Sequence, residues 1–121
     1  MKGVTIMINL TINSKVLQVE LENNSSAQAL IELLKKGPIE ISMNDYAGME
    51  KVGNLPTKLP RNDKPINVGW GDVILYQGRA FVIYYEHNSW NFTKLGKIVN
   101  ISRDALTSIL GRGSLIATLS L

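Results

Sequence analysis

Apolar and polar positions alternate with a period of two along much of the chain, which predicts a protein built mostly of strands. Val4, Ile6, Ile8, Leu10 and Ile12 alternate with Thr5, Met7, Asn9 and Thr11, giving a strand with one buried face. Asn13-Ser14-Lys15 has turn chemistry, and Leu17, Val19 and Leu21 then alternate with Gln18, Glu20 and Glu22. These two runs predict an antiparallel hairpin. Ile39–Met43 reads as a further strand, followed by a turn over Asn44–Gly48, whose residue types tolerate positive φ, and by a short strand over Met49–Val52. Two apolar runs, Val73–Tyr76 and Ala80–Tyr85, flank Gln77-Gly78-Arg79 and predict a hairpin of buried strands. After a polar bend from Glu86 to Asn91 the chain returns as a strand over Phe92–Val99. Leu115, Ala117, Leu119 and Leu121 alternate with Ile116, Thr118 and Ser120, so the last strand is also tied into the sheet.

The period changes twice. Ala27, Leu30, Ile31 and Leu34 lie on one face of a helix, with Ser25 and Gln28 spaced as a capping box. Lys35 and Lys36 suit its last turn, and Gly37-Pro38 stops it. A second helix opens at the cap Ser102, with Asp104 in its first turn, Ile101 stapled to Leu106, a face of Leu106, Ile109 and Leu110, and Gly111 at its end. Between Gly53 and Gly71 the prolines Pro56, Pro60 and Pro65 predict an irregular segment, either lining a binding site or covering the wall. About seven or eight short strands with so few helical residues hide their edges best as a closed, mostly antiparallel β-barrel, its two ends plugged by the two helices.

Composition narrows the function more than the fold. The 121 residues fit a single domain. With 45% apolar and 19% charged residues the chain reads as a soluble globular protein. Its net charge of +3 is scattered, Lys35-Lys36 being an isolated basic pair, so no nucleic-acid partner is expected. The absence of cysteine removes disulfides, thiolate nucleophiles and thiolate metal sites, and points to the cytoplasm. The opening MKGVTIMINL alternates where a signal peptide would be continuously apolar, and no run reaches the roughly 20 residues that cross a bilayer. No membrane association is expected.

Four pieces of the chain, in order, carry a family resemblance. Met43–Lys51 resembles an acidic-tyrosine-glycine turn followed by Glu-Lys, and Leu55-Pro56 with Leu59-Pro60 resembles a paired Leu-Pro loop. Gly71–Tyr76 resembles a Gly-Asp strand entry, and Phe92–Ile98 an aromatic-Thr-basic-Leu-Gly-basic-Ile strand. Together they resemble the small bacterial cyclophilin-like domain family, which implies a cyclophilin-like β-barrel. True cyclophilins are peptidyl-prolyl isomerases that use an arginine in a Phe-His-Arg-Val run. The region similar to it reads Tyr46–Val52 and has no arginine, and Lys51 is the cation nearest to that place. An ammonium lacks the planar fork of a guanidinium, so an isomerase working through Lys51 is the alternative reading rather than the leading one.

The remaining chemistry is sparse. His87 is the lone histidine, in a polar bend without a triad partner, and scattered acids with one histidine do not make a metal site. Asp45, Glu50, Asp72 and Glu86 show no spacing that pairs two of them on one element, and Asp72 after Gly71 suits a turn. No motif implies a cofactor. The aromatic residues are the lead: Tyr46, Tyr85, Trp90 and Phe92 are expected to line a groove with Lys51 at its rim, holding a small molecule or an extended peptide. The plainer expectation puts Phe81 and Phe92 in the core and packs Trp70 and Trp90 on loops. A third class is an assembly protein, including a homo-oligomer, whose exposed aromatics meet another chain.

Overall fold

Nine strands and two helices are formed by residues 5–121, which a computed structural model describes. They are β1 (Met7–Ile12), β2 (Lys15–Leu21), α1 (Ser25–Leu34), β3 (Ile39–Tyr46), β4 (Glu50–Asn54) and β5 (Lys64–Val68). Then come β6 (Asp72–Tyr76), β7 (Ala80–Tyr84), β8 (Asn88–Val99), α2 (Arg103–Leu110) and β9 (Leu115–Ser120). The strands are antiparallel in the order β2-β1-β9-β3-β4-β7-β6-β8-β5, and a further β2–β8 pairing makes the hydrogen bonds run round a ring. β5 stands outside that ring, paired to β8 alone.

Period-two alternation decides what faces inward. Leu10 and Ile12 of β1, Ile41 of β3, Leu75 of β6, Phe81 of β7 and Leu119 of β9 are buried in one interior cluster. Both helices serve the same cluster, α1 through Leu30 and Leu34 and α2 through Leu106 and Leu110. A second, smaller cluster forms from residues of the opposite parity: Ile74, Val82 and Tyr84 with Phe92 and Val68. It lies on the outer face of β6 and β7, beneath the arm made by β5 and the start of β8. Phe81 is therefore in the interior, whereas Phe92 is buried in the outer cluster.

Several local expectations shift by a residue or more. Val4 lies outside the described residues, and Ile6 precedes β1 and is exposed, although its carbonyl accepts from the Leu21 amide at 2.9 Å. Helix α1 is capped by Asn24, one residue before the expected serine: its side-chain oxygen accepts from the Ala27 amide at 2.8 Å. Ser25 is then the first helical residue, and Lys35 and Lys36 lie beyond the last one. Helix α2 starts as expected, with Ser102 accepting from the Ala105 amide at 3.1 Å. The expected turn over Asn44–Gly48 shrinks to its tip, because β3 continues to Tyr46 and pairs there with Glu50. Ala47 and Gly48 both take positive φ.

The segment after Gly53 is only partly irregular, since it contains β5. Its earlier part covers the interior with Leu55 and Leu59, both buried, and is held by the Leu55 amide to Arg79 O at 2.9 Å and the Leu59 amide to Gly78 O at 2.8 Å. Asn62 and Asp63 then fasten it to β8: Thr93 Oγ1 accepts from the Asn62 amide at 2.8 Å and donates to Asp63 at 2.6 Å. The expected polar bend is likewise shorter, because Asn88–Asn91 already belong to β8 and pair with β5. Trp70 packs against the interior cluster, with Lys97 Nζ 5.6 Å from its ring centre.

One register irregularity matters for the rest. Val73 pairs with Gly96 but Ile74 pairs with Lys94, so Leu95 is an extra residue on β8. A Cβ at Gly96 would overlap the Glu20 carbonyl oxygen on β2. Gly96→Ala is expected to destabilise the protein by about 1–3 kcal/mol through this overpacking. Urea unfolding checks it, and an unchanged midpoint would mean that β2 and β8 are not so closely paired.

Candidate functional site

The outer cluster is the floor of a cleft. Its side chains come from consecutive strands of the ring: Tyr46 from β3, Glu50 and Val52 from β4, Val82 and Tyr84 from β7, and Tyr76 from β6. The arm closes the far side with Asn88, Trp90 and Phe92. The cleft encloses about 550 Å³, within the range of small-molecule sites. Phe92 is its keystone, its ring centre 6.1 Å from Tyr76 and 5.7 Å from Tyr84, both at steep interplanar angles. The edge-to-face contact with Tyr76 and the tilted contact with Tyr84 hold the rings in place before any ligand arrives. Tyr46 and Trp90 stand at the mouth, 65% and 64% exposed.

The polar groups of the cleft are few. Tyr84 pairs across the strands with Glu50, engages its carboxylate, and accepts a hydrogen bond from Asn88 Nδ2 at 3.1 Å. Burial, reinforced by the bond to Glu50, pushes the Tyr84 phenol well above its ordinary range. Burial also raises the Glu50 pKa, opposed by the Tyr84 hydrogen bond and reinforced by the charge of Asp45. A charged Glu50 is thus a cost to the folded state near neutral pH.

A different polar group sits across the sheet. Lys51 alternates with Glu50, so it points to the opposite face, where it is fully buried. Its ammonium donates to Gly113 O at 2.7 Å, pairs with Asp45 at 3.2 Å and lies 5.8 Å from the Tyr85 ring centre. The Tyr85 hydroxyl donates to Asp45 as well. That bond leads the causes holding the Asp45 pKa low, ahead of Lys51 and the Gly48 amide. Burial followed by the bond to Asp45 pushes the Tyr85 phenol up to about 12. This group ties the β3–β4 turn and the end of β7 to the loop between α2 and β9.

The expected site residues therefore divide. Tyr46, Trp90 and Phe92 meet in the cleft, whereas Lys51 and Tyr85 lie on the other face of the sheet. Tyr84 takes the place expected of Tyr85, and Tyr76 and Glu50 are further lining residues that were not expected there. Glu50 is legible from its alternation with Lys51, since both lie in the short strand expected over Met49–Val52. Of the remaining candidates, Asp72 holds its turn by accepting from the Gly69 amide at 2.8 Å, Glu86 pairs with Arg103 at 3.2 Å, and His87 is exposed.

A mainly antiparallel domain with an aromatic cleft on the outside of a ring of strands is the class of protein that these features define. The chain belongs to the Cyclophilin-like family, whose model matches residues 10–120. Among solved structures it is similar to the hypothetical protein AF2241 from Archaeoglobus fulgidus, with a TM-score of 0.70 at 17% identity over 98% of this chain and 96% of that one. This likeness concerns the fold. No curated protein matches the chain. Among the described residues no helix is long and apolar enough to cross a membrane.

The pairing of buried Lys51 with the more exposed Asp45 yields a ranking. Asp45→Ala leaves the Lys51 ammonium in the interior with the Gly113 carbonyl as its remaining partner and is expected to cost about 1–3 kcal/mol. Lys51→Met removes that charge and is expected to cost clearly less. Because the Asp45 pKa is depressed below 3.8, its contribution is complete above that value and is lost as pH falls through the folded pKa. Urea unfolding at neutral pH and along an acid series measures both effects. Equal losses for the two variants would contradict the assignment of Lys51 as a buried ion dependent on Asp45.

Proposed function

We propose that this chain is a non-enzymatic binding module, a closed barrel of cyclophilin-like type that holds a small organic molecule in its outer cleft. The observation that carries this reading is the convergence of Tyr46, Tyr76, Tyr84, Trp90 and Phe92 on one concave site. Rings braced against Phe92 at the floor, with exposed rings at the mouth, form a preorganised apolar surface whose burial favours association. An extended peptide is the less favoured occupant. The edge strand it would join is β5, where Pro65 lacks a donor and Lys64 adds a charge, and both features blunt strand addition.

The isomerase alternative needs a cation at the substrate. No lysine, arginine or histidine is among the residues lining the cleft, and Lys51 is turned away and engaged by Asp45 and Gly113. This geometry supports binding over catalysis.

The test uses a Trp70→Phe variant, in which Trp90 becomes the sole tryptophan. Its emission is followed while small aromatic fragments and a proline-containing tetrapeptide are titrated, with isomerisation rate recorded on the same sample. The expected result is a fragment that alters Trp90 emission without catalysis and loses about tenfold or more in affinity in Tyr46→Ala. Proline isomerisation by the protein, or fragment binding indifferent to Tyr46, would contradict the proposal.

A further inference from the structure

The cleft combines aromatic faces with negative charge and contains no cation of its own. Glu50 lies half-buried at its floor, while the Asp45 carboxylate is turned to Lys51 and Tyr85 on the other face of the sheet. Asp45 is neutralised by Lys51 on its own face, whereas no ion pair among the described residues engages Glu50, which lies across the strands from Tyr84. A carboxylate set among rings is held there against its preference for water, and the raised Glu50 pKa is the sign of that cost. A positive group entering the cleft would remove the cost and also find the negative faces of Tyr46 and Trp90 at the mouth. The charge that the site lacks is the charge that a ligand can bring.

We propose that the occupant of the cleft is an organic cation, an alkylammonium group seated against Tyr46 and Trp90 with Glu50 as its counter-ion. This deepens the binding reading above and rests on it. The chemical class is defined by the ammonium head, which a free small amine or a modified lysine side chain can supply alike. The rings lining the cleft around Glu50 are Tyr84 on β7, Tyr76 on β6 and Tyr46 on β3, all neutral, and the Asp45 charge acts on it from across the sheet, so no lining residue competes with the ligand for the carboxylate. Anions are repelled by Glu50, and a neutral molecule gains from it no more than a hydrogen bond.

The test compares choline with its neutral isostere 3,3-dimethyl-1-butanol, which replaces the charged nitrogen by carbon at nearly constant shape. A tetrapeptide containing trimethyllysine forms a third arm. Binding is read from the Trp90 indole N–H resonance of the intact chain. The expected result is a saturable shift with choline or the peptide, whichever is tighter assigning the source, and binding of the isostere at least tenfold weaker. Glu50→Gln is expected to weaken the cation at least fivefold while its Tm at pH 7 equals or exceeds that of the parent. That readout separates lost binding from lost folding.

Equal binding of choline and the isostere would overturn the cation and leave the cleft as a binding site. Choline binding that leaves the Trp90 and Tyr46 signals untouched would overturn the cation at this site and count against the cleft as well. No shift with choline or the peptide at any attainable concentration would overturn the cation, whatever neutral fragments then bind.

Discussion

The structure depends on one strand that belongs to two places. The C-terminal part of β8 sits between β2 and β6 and completes the ring, while its N-terminal part runs past the ring and pairs with β5. The extra residue at Leu95 reconciles the two. Thr93, Leu95 and Ile98 can all be buried despite their mixed spacing, because the bulge shifts the alternation by one position. Gly96 allows β2 to approach at this point, and no larger residue fits. Without the bulge, the residues that fill the interior and those that face the arm would exchange sides along half of the strand.

The cleft follows from that arrangement. The arm carries Phe92 and Val68 over the outer wall of β6 and β7, which a ring without it would leave open to water. Burying apolar area on both faces of β6 and β7 makes them uniformly apolar, and the arm is too short to cover the whole face. Its unfilled remainder, bounded by the β3–β4 hairpin, is the cleft. The electrostatics divide along the same wall. On one side Lys51 and Asp45 satisfy each other and fasten a loop, and on the other Glu50 stays under-compensated in an aromatic setting. One group spends its charge on stability, and the other holds it available to a ligand.

Strand runs with one wet face were legible in the sequence. β1, β2 and β9 alternate clearly enough to assign Ile8, Leu10, Ile12, Leu17, Val19, Leu115, Ala117 and Leu119 to the interior, whereas Ile6 and Leu121, expected to continue the pattern, lie outside the strands and are exposed. β7 was not assignable by face, since Phe81–Tyr85 is apolar on both sides and no polar residue reports the parity. That ambiguity is why Tyr85 was expected where Tyr84 lies. β5 was missed because Lys64-Pro65-Ile66-Asn67-Val68 carries a proline and polar residues, as an edge strand does. The start of β8 was missed for the same reason: Asn88-Ser89-Trp90-Asn91 reads as a bend until a partner supplies its hydrogen bonds. Trp90 and Phe92 are recognisable as a pair from their shared parity, whereas the retreat of Lys51 depends on Asp45 across the hairpin and on a carbonyl distant in the chain.

Proton–proton Overhauser contacts among the aromatic rings in the absence of ligand test the account most directly, because the cleft exists only if the arm lies on the outer wall. Cross-peaks from the Phe92 ring to both Tyr84 and Tyr76, together with cross-strand contacts between Ile66 and Trp90, are the result predicted. Retained β8 contacts to β2 and β6 with no Phe92–Tyr84 cross-peak would show a ring whose arm stands away from the wall, and would contradict a preformed site.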